Sequence, residues 1–347
     1  MRPRTLWRLR VVAGVTLASS VAGGVYGAWF APGGSNVGIG LLVGAMNGVA
    51  ITLLEIFLQS TGAAALRRLS LVLVLALRTL IYGAVFLLTG MAARSLVTAI
   101  DPQLLSGGMV MAPSLPFSLA VALGINFCFV LSGLLGPRVL IALATGHYRR
   151  PRSEQRIVLF LDLHDSTRHA ERLGDEDFHR FLNQVFFDIS DPVLAAGGEI
   201  YRYVGDEIIV TWRLARGARG GGCIACFFAI EDALARRRAE YRRAFDTEPR
   251  LRGAIHAGTV VVGEMGDLKR EIVMLGDTMN TTARIEEICR TTNRDFLASA
   301  AALQSVARLP PGVEAEPLGE VALRGREENI QLFGLNRRRS GGARSAA

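Results

Sequence analysis

Long apolar runs at 11–31, 37–58, 71–93 and 115–135 dominate the first part of the chain. Each reaches the roughly 20 residues that a helix needs to cross a hydrocarbon core. The pattern therefore predicts an N-terminal all-α transmembrane bundle over residues 1–136, with about four helices. The first run could pass for a secretion signal, but three further spans follow it, which favours its retention as an anchor. Residues 137–152 read as a helical linker, and 337–347 as a disordered tail.

Between them, over 153–336, the period changes to that of an ordinary globular domain. Residues 157–161 are a short, continuously apolar strand that ends in a polar turn. An amphipathic helical stretch follows through Leu194 and breaks at Gly197-Gly198. Two strand-like runs, 199–204 and 207–212, meet at Gly205-Asp206, a hairpin signal. A glycine-rich loop leads to a helix through about Phe245. Strands at 251–262 and 271–275, a helix over about 278–290 and strands near Val321 and Ile330 complete the domain. This order predicts an α+β domain, an antiparallel-rich sheet with its helices on one face.

Charge sharpens the division. The chain carries a formal charge of +8, but its basic residues gather where a membrane protein needs them. They lie at Arg2, Arg4, Arg8 and Arg10, at Arg67 and Arg68, and at Arg149, Arg150 and Arg152. This argues against a nucleic-acid partner. With an even number of spans it predicts a multi-pass protein of the cytoplasmic (inner) membrane, both termini and the globular domain cytoplasmic. Arg236 to Arg238, Arg242 and Arg243 read as a solvated helix face. Glu55 and Arg78 lie within consecutive spans, either as an ion pair or as two groups reaching separately for the interface. Cys223 and Cys226 form an isolated C-x-x-C in an apolar run without a second pair, which favours buried helix positions over a metal site.

Candidate chemistry comes from two carboxylates. Asp162 ends the first strand of the globular domain and Asp206 occupies the tip of the hairpin, and this topology can set them side by side. Such a pair suits Mg²⁺, which prefers oxygen ligands and completes its shell with substrate phosphate. Two such ions can clamp the attacking and leaving oxygens of a phosphoryl displacement.

Three ordered segments then form a recognisable set: Phe160-Leu161-Asp162-Leu163-His164-Asp165-Ser166-Thr167, Tyr203-Val204-Gly205-Asp206-Glu207, and the stretch from Leu275-Gly276-Asp277 through Asn280 and Arg284 to Glu286. Together they resemble the class III adenylate and guanylate cyclases over about residues 156–335. The resemblance implies a ferredoxin-like cyclase domain and metal binding by Asp162 and Asp206 with two Mg²⁺ (or Mn²⁺). It implies phosphate contact by the Leu163, His164, Asp165, Ser166 and Thr167 turn, ribose orientation by Asn280 and α-phosphate contact by Arg284. Arg252 and Arg324 match its polyphosphate-binding cations. It further implies a homodimer, with one chain giving the aspartates and the other Asn280, Arg284 and the base-reading residues. The expected reaction is adenylate cyclisation, ATP to 3′,5′-cyclic AMP and pyrophosphate.

Two base-reading positions depart from the family pattern. Arg202 stands where a lysine is usual, in a chain whose single lysine is Lys269. Val273 stands where an aspartate or threonine is usual, and its side chain can neither donate nor accept. A backbone carbonyl, or Glu271 two positions earlier on the same strand face, is the candidate substitute acceptor. The glutamate and cysteine usual in guanylate cyclases are also missing, so ATP is favoured. A guanylate cyclase and an inactive nucleotide-binding module are the alternatives. A diguanylate cyclase lacks a counterpart of the Asn280/Arg284 helix.

Overall fold

The computed structural model describes residues 3–30, 36–61, 70–100, 111–322 and 329–338. The chain forms two compact units, Met1–Thr145 and Gly146–Ala347.

The first unit is helical: α1 (Pro3–Phe30), α2 (Asn36–Thr61), α3 (Leu71–Ile100), α4 (Met111–Leu135) and α5 (Pro137–Thr145). Among the described residues, three helices are long and apolar enough to cross a membrane, over Val12–Trp29, Val37–Phe57 and Val72–Ala93. A fourth is present if Leu119–Leu135 counts as one span with Val139–Thr145, which is turned 116° from it. Glycines let α1 and α2 approach closely. A Cβ on Gly40 would lie 2.2 Å from the Gly23 carbonyl oxygen, and one on Gly44 would lie 2.2 Å from that of Ser19. Small residues at such crossings allow backbone-to-backbone packing where lipid gives helices little hydrophobic reason to associate.

The polar residues of this unit find one another. Glu55 accepts from Arg78 Nη1 at 2.9 Å and from Tyr82 Oη at 2.7 Å. The ion pair is therefore formed, rather than two groups reaching the interface separately. Thr89 donates to Asn47, and Asn126 Nδ2 donates to the Leu75 carbonyl at 3.1 Å.

The second unit contains β1 (Arg152–Leu163), α6 (Ser166–Leu173), α7 (Asp175–Ala195), β2 (Glu199–Val204) and β3 (Glu207–Arg213). These are followed by the short α8 (Leu214–Gly217), α9 (Gly222–Arg236), α10 (Arg238–Phe245), β4 (Leu251–Met265) and β5 (Glu271–Leu275). Last come α11 (Asp277–Thr292), β6 (Phe296–Ser299), α12 (Ala300–Ser305), β7 (Val313–Val321) and β8 (Ile330–Arg337). The sheet order is β2-β3-β1-β4-β6-β8-β7, with β5 hydrogen-bonded to the far end of β4. Only the β4–β6 pairing is parallel among the described strands.

The helices lie on both faces, not on one as the sequence suggested. Ile157, Leu159, Leu161 and Leu163 of β1 pack with Phe181, Val185 and Ile189 of α7 and with Cys223, Cys226 and Phe227 of α9. Ala254 of β4 and Leu297 of β6 pack instead with Ile285 and Cys289 of α11. Because side chains alternate along a strand, the even-numbered positions of β1, Asp162 included, share the α11 face. Cys223 and Cys226 are buried free thiols. The expected long helices are broken, one at Gly174 (φ 74°) and one at Arg237. β8 runs through Arg337, whose guanidinium grips Asp232 at 2.6 and 2.8 Å, so the ordered domain extends into the stretch expected as tail. Residues 339–347 lie outside the described part.

Candidate active site

The strand ladders bring the first two carboxylates to one end of the sheet. β1 and β3 pair antiparallel up to Leu161↔Ile208, so Asp162 and the hairpin tip lie immediately beyond their last pair. Val204 and Glu207 close the hairpin, and Gly205 takes the left-handed conformation (φ 62°) that a tight turn demands and glycine tolerates. On its other side Asp162 stands opposite Arg252 in the β1–β4 ladder.

Asp162 is 2% exposed and carries two guanidinium partners on one oxygen: Arg252 Nε at 3.1 Å and Arg290 Nη2 at 3.2 Å from Oδ2. Arg290 Nε also lies 3.2 Å from Glu286 Oε1, one turn earlier on α11. Burial pushes the Asp162 carboxyl up to about 7, with Glu286 and Asp206 raising it further and Arg290 and Arg252 opposing them. Glu207 is likewise pushed up to about 7 by burial and by Glu286, Asp162 and Asp206. Asp162 and Glu207 thus each feel the negative charge of Asp206 and Glu286, opposed by one or more guanidiniums. Such an arrangement costs energy unless cations enter it.

Glu207, Glu286 and Arg290 were not singled out from the sequence. Glu286 alone had a signal, helical spacing: Thr278, Thr281, Thr282, Ile285, Glu286 and Cys289 form the buried stripe of α11, which turns Glu286 toward the sheet.

The other expected residues divide into three places. Asn280 is exposed and Arg284 half-buried on α11, and Arg284 makes no ion pair with any described residue. Arg202 of β2 pairs with Glu271 of β5, while Lys269 Nζ lies 2.7 Å from the other Glu271 oxygen. Tyr201 Oη accepts from the Met274 amide at 2.8 Å, locking β2 to β5 beside Val273. The third place is the turn after β1. Leu163 buries its side chain in the core and pairs with Leu251, and the His164 amide donates to the Arg250 carbonyl at 2.9 Å. That leaves Asp165, Ser166 and Thr167, at the start of α6, where helix geometry provides no acceptors for the first amides. Arg324 lies outside the described residues.

A divalent metal fits the acidic set. Among the described residues no three His, Cys, Asp or Glu side chains are grouped so as to hold an ion by themselves. Mg²⁺ is commonly bound through one or two carboxylates with substrate phosphates completing the shell. A buried aspartate under the negative charge of Glu286 and Asp206, and already drawing in two guanidiniums, fits such a site.

Residues 149–336 match the adenylate and guanylate cyclase catalytic domain. The match spans more than half the chain, and the protein belongs to that family. The chain is 41% identical to "Adenylate cyclase 2" of Rhizobium meliloti (strain 1021) over 228 residues, 65% of this chain and 62% of that protein. It is 28% identical to "Adenylate cyclase 1" of the same organism over 204 residues, 57% of this chain and 30% of that one. It therefore spans less than two thirds of either relative. A solved bacterial light-regulated adenylyl cyclase shares the fold, with a TM-score of 0.55 at 20% identity and 66% of each chain covered.

Proposed function

We propose that the protein is a membrane-anchored adenylate cyclase that converts ATP to 3′,5′-cyclic AMP and pyrophosphate at the interface of a homodimer. The observation that supports this reading is the buried Asp162 at a strand end immediately beside the Gly205-Asp206 hairpin tip. Likeness to the two Rhizobium adenylate cyclases supports ATP as the substrate. The apolar helices support anchoring, with both termini on the cytoplasmic face by the charge pattern.

In this reading Asp162 and Asp206 would hold divalent ions, which would supply Lewis-acid stabilisation of the phosphoryl oxygens. Asn280 and Arg284 of the second copy orient the ribose and offset charge developing on the α-phosphate. Arg252, beside Asp162, and the amides of Asp165, Ser166 and Thr167 face the polyphosphate; Arg324 is the further cation assigned there. The 3′-oxygen forms a bond to the α-phosphorus as the bond to the β-phosphate oxygen breaks, the hydroxyl proton is lost to solvent, and pyrophosphate leaves. Arg202 donates to the adenine ring. Glu271, held by Arg202 and Lys269, takes the acceptor role that Val273 cannot fill.

The test is incubation of the purified full-length chain with ATP or GTP and Mg²⁺ or Mn²⁺, with cyclic products quantified. Cyclic AMP from ATP is expected. Cyclic GMP as main product would make the protein a guanylate cyclase, and nucleotide binding without product would make it a binding module.

A further inference from the structure

We infer that Arg290 is a tethered cation that competes with divalent metal for Asp162, and so sets how tightly the domain holds its metal. The inference rests on the reading above that Asp162 is a metal ligand.

Both guanidiniums at Asp162 contact Oδ2, whereas Oδ1 makes no hydrogen bond or ion pair with any described residue. The two arginines are held differently. Arg252 is directly opposite Asp162 in the ladder, with a side chain 12% exposed. Arg290 is in the last turn of α11, its side chain 54% exposed, and its other partner is Glu286 on its own helix. Arg252 therefore has nowhere to go without disturbing packed surroundings, while Arg290 can rotate into solvent where half of it already lies.

Glu286 and Asp206 add negative charge near Asp162. In the absence of metal, Arg290 offsets part of that repulsion. A divalent ion arriving at Asp162 would be repelled by the guanidinium at this distance, so the Arg290 contact opposes its binding. Because the displaced pair is partly exposed, the penalty is modest: it weakens metal binding without abolishing it. A purely structural role is the rival. A cation in the last turn of a helix stabilises it through the helix dipole, and such a role would not alter metal affinity.

The test is titration of Mn²⁺ into the detergent-solubilised full-length protein without nucleotide, with free Mn²⁺ read by its electron paramagnetic resonance signal. Arg290→Gln is expected to bind Mn²⁺ about fivefold more tightly than wild type, and Arg290→Lys, which keeps the charge, to stay near wild type. Asp162→Asn is the control for the underlying reading and is expected to lose most binding. Unchanged or weaker binding by Arg290→Gln, alongside loss in Asp162→Asn, would overturn the role of Arg290 alone. Undiminished binding by Asp162→Asn would overturn the metal assignment, and the competition with it.

Discussion

Arg284 and Glu286 are two residues apart on α11 and point to nearly opposite sides of it. At about 100° per residue their directions differ by about 200°. Glu286 is 5% exposed and turned toward Asp162, while Arg284 is half-buried and free of acidic partners among the described residues. Asn280, one turn before Arg284, shares its side. The acidic pocket of one chain and the Asn280/Arg284 face of the same chain therefore do not converge. In the proposed reading, a site containing both would draw on two copies, with a two-fold pairing giving each site the missing half.

Arg284→Ala is expected to lower kcat for cyclic AMP formation by about 100-fold or more, the scale of removing one transition-state charge donor. The KM for ATP and the melting temperature should change little, because Arg284 has no ion-pair partner among the described residues. Steady-state kinetics and a thermal melt on the same preparation check both halves. A large loss of thermal stability would instead make Arg284 a structural residue.

Glu207→Gln should change stability in a pH-dependent way. Its carboxyl is raised from 4.5 to about 7 in the folded protein, so folding favours the protonated form. That contribution is complete below about 4.5 and is lost as pH rises through about 7. Glutamine cannot ionise and escapes this loss. With chelator present, the variant should therefore gain on wild type between about pH 4.5 and 7.5, by about 1–2 kcal/mol after allowing for partial exposure. Denaturant melts across that range measure the difference, and a gap that shrinks with rising pH would contradict it.

Glu271→Ala removes the carboxylate that pairs with Arg202 and accepts from Lys269. The expected outcome is a lower ratio of ATP to GTP turnover, by about tenfold, mainly through a higher KM for ATP. Val273→Thr should restore part of the lost selectivity by adding a hydroxyl to the same strand face. Competition assays with both nucleotides read the ratio directly; an unchanged ratio would remove Glu271 from base recognition.

Much of this arrangement was legible in the sequence. Asp162 and Asp206 could be read as neighbours because a strand end and a two-residue hairpin tip are local features with strong signals, Gly205 above all. The apolar runs announced themselves by length. What escaped detection depended on tertiary context. Phe296–Ser299 is too short to stand out, and it becomes β6 only by pairing with β4 and β8. The side of the sheet taken by α11 is set by which parity of β4 and β6 it covers, and its own sequence does not state that. Glu286 and Arg290 read as ordinary charged residues of an amphipathic helix until the fold sets them over Asp162. His164 belongs by sequence to a phosphate-facing turn, yet its amide is committed to Arg250 and its ring meets Asp295 at 3.0 Å.

In the helical unit, Glu55→Ala would leave Arg78 and Tyr82 without their shared acceptor among apolar neighbours. A loss on the order of 2 kcal/mol is expected, since removing one partner strands the other's charge. The double variant Glu55→Ala/Arg78→Leu should recover part of that loss. Thermal unfolding of the full chain in detergent, analysed as a double-mutant cycle, gives the coupling. Additive effects would mean that the pair contributes no stability of its own.

Mixing two inactive chains probes the shared active site most directly. Asp162→Ala and Arg284→Ala are each expected to be inactive alone. Co-expressed in equal amounts, random pairing makes half of the dimers mixed. Each mixed dimer holds one site with both defects and one with none, so cyclic AMP formation should return to about a quarter of the wild-type rate. Activity that stays at the level of the separate variants would contradict a site built from two chains.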